Sequence, residues 1–275
     1  MNCIDFDRQF EAYTRAWVAK HAEEYGNNMD VIEGMMPDIY MEFLSKPAAW
    51  LGGLSPEAYF EQFSDAQMLV DWMCAYYAQQ VPVPDLLLER ITALGEAAEP
   101  YLLALPFSTQ APHEASLTAI SLLREMESTA PMQAYIGYIA ALEAPDEKGD
   151  LCAEALLGMG EAAAAPILEA LAGATETAKD IFADILSNYP GDERIFALLM
   201  ERFAAGQGHR ALYASYLAKL GDDRALPALM SAAMDQDVNY LDYIEIVEAI
   251  DALGGERPPE REFAGDPYYE SLKQV

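Results

Sequence analysis

One apolar template recurs along most of this 275-residue chain at a nearly fixed interval, and that regularity limits the fold more than any other feature. Cys152, Ala155, Leu156 and Met159 stand at offsets 0, 3, 4 and 7. Ala164, Ile167, Leu168 and Leu171 repeat the spacing, as do Ala178, Ile181, Phe182 and Ile185, then Tyr213, Tyr216, Leu217 and Leu220. Residues so spaced share one face of an α-helix. Turn positions between paired stripes fall at Gly95, near Met126, at Gly160, near Tyr189, at Gly221 and at Gly254, in steps of about 31, 34, 29, 32 and 33 residues. A period of this size in a helical chain predicts stacked hairpins. One short hairpin cannot bury its own stripe, whereas neighbours on both sides can cover it. The predicted fold is therefore all-α, an α-α superhelix (a solenoid of helical hairpins).

The N-terminal part follows the same chemistry with more rings. Phe6, Phe10, Tyr13 and Trp17 form a stripe; a second segment from near Asn28 carries Met36, Ile39, Tyr40 and Phe43, with a helix start or kink at Pro37. Ser55-Pro56 and Ser64-Asp65 read as helix starts, the latter leading into Leu69, Trp72, Met73 and Tyr76. Gly52-Gly53 and Pro82-Val83-Pro84 are breaks. The expected division is a four-helix N-terminal region over 1–82, read either as a cap or as divergent repeats, then repeats over 83–255 and a tail over 256–275. In the tail, Asp266-Pro267-Tyr268-Tyr269 either begins a short helix or stays flexible.

The turns carry a family resemblance. Ala218-Lys219-Leu220-Gly221-Asp222-Asp223-Arg224-Ala225-Leu226-Pro227 resembles a HEAT or PBS-lyase-like repeat turn, with Arg210 eleven residues before Gly221. Gly158-Met159-Gly160-Glu161 through Pro166, and Leu94-Gly95-Glu96 through Pro100, are similar. The units at Met126–Pro131 and Asn188–Asp192 lack Leu-Gly and rest on periodicity. The resemblance spans about residues 85 to 254 and implies an armadillo-like architecture, which hosts many unrelated functions.

For function, charge speaks loudest. Asp and Glu number 46 against 16 Lys and Arg, a net charge of −30. Such a chain repels phosphate backbones and anionic membranes, so neither nucleic acid nor membrane is an expected partner. No apolar run reaches the about 20 residues of a membrane span, and the N-terminus does not read as a signal peptide, so a cytoplasmic location is expected. Cys3, Cys74 and Cys152 show no paired spacing. His21, His113 and His209 form no metal motif, and one His113-Glu114 pair cannot build the di-iron site of HEAT-repeat hydroxylases. Phosphate-loop and nucleophile-elbow motifs are missing, so no cofactor is expected.

The leading expectation is a non-enzymatic interaction scaffold that takes a basic protein or peptide on an acidic concave face. Second helices of the hairpins offer Tyr135, Tyr138, Glu169, Glu201, Met230 and Met234 as partner-binding residues. Taken singly, Tyr135 and Met230 read as core. Two alternatives stay open: an enzyme site in the aromatic region around Trp50, Trp72, Tyr76 and Tyr77, or an acidic mimic of nucleic acid.

Overall fold

The computed structural model describes residues 2–25, 29–206, 209–259 and 261–272, and among them there are helices and turns but no strand. In chain order the helices are α1 (Phe6–Tyr25), α2 (Met29–Gly34), α3 (Met36–Ser45), α4 (Pro56–Tyr59), α5 (Ala66–Ala78), α6 (Asp85–Ala93), α7 (Glu99–Leu103), α8 (His113–Glu125) and α9 (Met132–Ala140). They continue as α10 (Glu147–Gly158), α11 (Ala164–Ala170), α12 (Glu176–Leu186), α13 (Glu193–Ala205), α14 (Arg210–Leu220), α15 (Leu226–Ala233), α16 (Tyr240–Ala252) and α17 (Pro267–Leu272). No single helix among the described residues is long and apolar enough to cross a membrane. The chain divides into two compact units, Met1–Pro131 and Met132–Val275.

In the first unit the expected second segment splits. Met35 precedes a new helix, and Pro37 lies in its first turn, where a missing N–H leaves no bond unmade. Its expected start at Asn28 lies outside the described residues. Ser55 caps α4 by accepting from the Ala58 N–H at 3.4 Å, and Asp65 caps α5 by accepting from Met68 at 3.0 Å. These two starts follow the sequence reading, but among the described residues 1–82 holds five α-helices and a short 3-10 turn where four helices were expected. The core runs through the Pro82–Pro84 break: Leu69, Met73 and Tyr76 pack in one cluster with Leu87, Ile91 and Leu102, all at 0% exposure. Each such side chain contributes about 2 kcal/mol by leaving water.

Rings dominate this core, with Phe6 edge-on to Trp50 at 5.2 Å and Phe60 edge-on to Trp72 at 5.4 Å. The start of the chain is tied down by polar bonds. The Tyr76 hydroxyl donates to the Ile4 carbonyl and accepts from the Ile4 N–H, both at 3.1 Å, while Trp72 Nε1 donates to the Asn2 carbonyl at 3.2 Å. Tyr76→Phe removes both bonds to Ile4 without changing the ring, so a loss of about 2 kcal/mol is expected in urea unfolding. A loss under half that would mean the N-terminal segment is held by packing alone.

In the second unit, helices two apart along the chain are neighbours: α9 with α11, α10 with α12, and α14 with α16. Successive helices also pack, as α13 does on α12 and α14. Buried faces match the template. Ala178, Phe182 and Ile185 of α12 and Tyr213, Leu217 and Leu220 of α14 are all at 3% exposure or less. Thr175, Asp192 and Asn239 cap α12, α13 and α16. The tail does form a helix, α17, begun by Asp266, whose carboxylate accepts from the N–H groups of Tyr268 and Tyr269 at 3.0 Å and from Tyr240 at 3.0 Å.

Among the left-handed residues, which also include Gly52, Gly53, Gln80, Gly206 and Gly265, those at Gly95, Glu127, Gly160, Gly191, Gly221 and Gly254 stand at intervals of 32, 33, 31, 30 and 33 residues. They fall at or within two residues of the turns read from sequence. At Glu127 the backbone closes α8 as Gly254 closes α16. The Ser128 N–H reaches Leu123 at 3.0 Å just as Gly255 reaches Ile250 at 2.9 Å. Glu127 does this with φ of 54°, a conformation that a Cβ opposes. Glu127→Gly is therefore expected to stabilise the protein by about 0.5–1 kcal/mol, read from the urea midpoint. A destabilising result would mean the glutamate side chain contributes more than the strain costs.

Candidate functional site

The second unit carries a groove of about 470 Å³ between α10 and α12, with Tyr216 of α14 at its edge. Its position follows from helix spacing. Asp150, Ala153, Glu154 and Leu157 lie along one flank of α10, and Asp180, Ile181, Asp184 and Ile185 along the facing flank of α12, with Asn188 just past its end. These flanks sit beside the buried stripes, where neighbouring helices no longer cover them. Leu157 is 42% exposed, and Ile181 and Tyr216 are half-buried. The result is an apolar floor with four carboxylates along its walls and no Lys or Arg among its lining residues.

The α12 wall is fixed from behind. Asp180 Oδ1 accepts from the Tyr213 hydroxyl at 2.5 Å and from Arg202 Nη2 at 3.1 Å. Its Oδ2 lies 3.2 Å from His209 Nδ1. Arg202 also donates to Tyr213 at 2.9 Å through Nε and to Glu176 at 2.5 Å through Nη1. One guanidinium thus joins α12, α13 and α14. Burial pulls its pKa down, but the bonds to Glu176, Tyr213 and Asp180 outweigh burial and leave it above the ordinary value. Burial, then the bond to Asp180, pushes the Tyr213 hydroxyl up as well. Further along, Lys219 Nζ holds Asp184 Oδ1 at 2.8 Å. Tyr216 stacks edge-on against Tyr213 at 5.6 Å. Burial first, then the charges of Asp184 and Asp180, raises its pKa, so it stays a neutral hydroxyl.

Several carboxylates around the unit are held below their usual range. Bonds from Lys179, then Arg202, bring Glu176 to about 2. Arg194 lowers Asp192, Arg224 lowers Asp222, and the Tyr240 N–H leads the lowering of Asp266. Groups depressed in the folded state stabilise it above their unfolded pKa of about 4. That stability is lost as pH falls through the folded value, so the acid transition is expected between about pH 4 and 2. At pH 7 the net charge of −30 adds self-repulsion that salt screens. Raising NaCl from about 10 to 300 mM is therefore expected to raise Tm by a few degrees. A Tm that falls with salt would show that the ion pairs outweigh the repulsion.

None of the six residues expected at the partner surface lines this groove. Tyr135 is fully buried in the core, which removes it from any contact surface. The Tyr138 hydroxyl donates to Asp146 at 2.6 Å. Glu169 and Glu201 are exposed on α11 and α13, Met230 is half-buried on α15, and Met234 is 50% exposed just beyond it. These positions lie on α9, α11, α13 and α15 or just past them, whereas the groove belongs to α10, α12 and α14. Of the rings singled out in the N-terminal region, Trp72 and Tyr76 are core. Trp50 lines a separate hollow of about 350 Å³ whose one charged lining residue, Lys46, is bonded to Glu42 and to Tyr13. Burial pushes the Cys152 thiol up to about 12, away from nucleophilic character. Set against protein-family models, curated proteins and solved structures, the chain finds no match in any of the three.

Proposed function

We propose that this chain is a HEAT-like, armadillo-like α-α superhelix that works as a non-enzymatic, cytoplasmic docking scaffold for a basic segment of another protein. The groove between α10 and α12 is the docking site, in place of the second-helix surface. The observation that carries the reading is the groove's lining: an apolar floor edged by Asp150, Glu154, Asp180 and Asp184, with no cation among the lining residues. An amphipathic helix with Lys or Arg flanking a Leu stripe matches that pattern in shape and sign. Neighbour relations between helices two apart support the repeat architecture, as does the series of left-handed turns spaced 30 to 33 residues from Gly95 to Gly254, within which Gly206 is the one further left-handed position among the described residues. The net charge of −30 adds long-range attraction for the same partner.

The test is a fluorescence-anisotropy titration with a labelled 18-residue amphipathic Lys/Leu peptide, at 50 and 300 mM salt. A Kd of about 10 µM at low salt, weakened about tenfold at high salt, is expected. The counterpart with Glu in place of Lys is expected not to bind. Absence of binding at 50 mM salt, or affinity indifferent to salt, contradicts the proposal.

A further inference from the structure

A second cavity in the same unit has the opposite electrostatic character. It encloses about 530 Å³ between α16 and the segment that follows it, and its lining includes Tyr243, Val247, Arg257, Arg261 and Phe263. Two arginines in one pocket are unexpected in a chain with 46 acids and 16 bases. Glu248 is the one acid among the lining residues.

Arg261 is held in an unusual way. Its Nη1 donates to the Asp235 carbonyl at 2.7 Å and its Nη2 to the Val238 carbonyl at 3.3 Å. The guanidinium lies 4.4 Å from the ring centre of Phe263 and 5.2 Å from that of Tyr243. By contrast, Arg194, Arg202, Arg210, Arg224 and Arg257 each hold a carboxylate. Among the described residues Arg261 forms no such pair, and its Nε is buried with no hydrogen-bond partner. The nearby Asp235 carboxylate is bonded to Arg210 instead. Carbonyls and ring faces orient a cation but do not neutralise it. The fold thus keeps a half-buried guanidinium that bonds no carboxylate directly among the described residues, with the Asp235 charge nearby, beside aromatic walls in a volume suited to a small molecule.

We propose that this pocket binds a planar aromatic carboxylate, its ring against Tyr243 and Phe263 and its charge beside Arg261, since Arg257 already holds Asp251. A cationic ligand meets the Arg261 guanidinium, and a neutral aromatic gains the walls but not the charge. The site is separate from the acidic groove, and its failure would leave the docking proposal standing.

Calorimetric titration of the full chain with 2-naphthoate tests this. Saturable binding with a Kd below about 1 mM is expected, given the ligand's size. The neutral analogue 2-naphthylmethanol is expected at least tenfold weaker, and 2-naphthylmethylammonium should not saturate. Arg261→Gln should weaken 2-naphthoate at least tenfold. Val247→Trp, which fills the cavity from α16 and leaves both arginines in place, should abolish binding. Should Arg261→Gln fail to fold, the three-ligand comparison on the unaltered chain and the Val247→Trp variant decide. Equal affinity for the neutral analogue, no saturation by 2-naphthoate, or unchanged binding in Val247→Trp overturns the proposal.

Discussion

Asp180→Ala is expected to destabilise the C-terminal unit by about 3 kcal/mol, the largest single effect of any polar substitution in this protein. The carboxylate is 19% exposed and the guanidinium it meets on Arg202 is 21% exposed, so water replaces their bonds poorly. Removing Asp180 leaves the Tyr213 hydroxyl without its acceptor and Arg202 with only Glu176 and Tyr213. Breaking a buried pair from one side costs several kcal/mol, and partial exposure lowers that figure here. Asp180→Asn keeps one acceptor and should cost about half as much. A double-mutant cycle with Arg202→Met isolates the pair, with a coupling of about 2 kcal/mol expected. Urea midpoints for the four proteins measure it. A cost under about 1 kcal/mol for Asp180→Ala would show that packing alone joins α12, α13 and α14.

The second large effect concerns binding. Asp150 and Glu154 are exposed on the α10 wall of the groove. Replacing both by Lys changes the wall by four charge units and moves the net charge from −30 to −26. Two favourable contacts with a basic partner become two repulsions, each step about 0.5–1 kcal/mol at an exposed position. The four steps together come to about 2 kcal/mol or more, so affinity for the Lys/Leu peptide should fall at least about 30-fold at 50 mM salt, with the gap narrowing as salt rises. Both residues are exposed, so the variant is expected to stay folded, which its urea midpoint checks. Unchanged affinity in a well-folded Asp150→Lys/Glu154→Lys protein would remove the groove from consideration.

Much of the helical organisation was legible in the sequence because it depends on local spacing. Ser55 and Asp65 cap the helices read to start there, and Phe182 and Leu217 fall on stripes that the chain buries. The division into units was less legible. Pro82-Val83-Pro84 interrupts the helices but not the packing, since Tyr76 and Leu87 belong to one core. A local break says nothing about which apolar faces meet across it. Glu127 shows the same limit from the other side, for its left-handed turn carries no glycine to announce it.

The groove lies on helices other than those the sequence reading favoured, for a physical reason. Ile181 and Ile185 fit the buried stripe of α12, and spacing alone does not reveal that the stripe is wider than its neighbours can cover. Ile181 therefore lines a groove while Ile185, at 3% exposure, forms its base. Acids at Asp150 and Glu154, and again at Asp180 and Asp184, repeat at one-turn spacing and were the available signal. They were hidden by the abundance of acids everywhere else. Tyr135, by contrast, had the composition of a contact residue but the spacing of a core one, and spacing prevailed.

Hydrogen–deuterium exchange of the full chain, with and without the Lys/Leu peptide at 50 mM salt, tests the docking account most directly. Slowed exchange confined to residues 150–157 and 181–188, with Tyr216 at the margin, is the predicted result. Protection on α9, α11, α13 and α15 instead, or spread evenly over the chain, would contradict it.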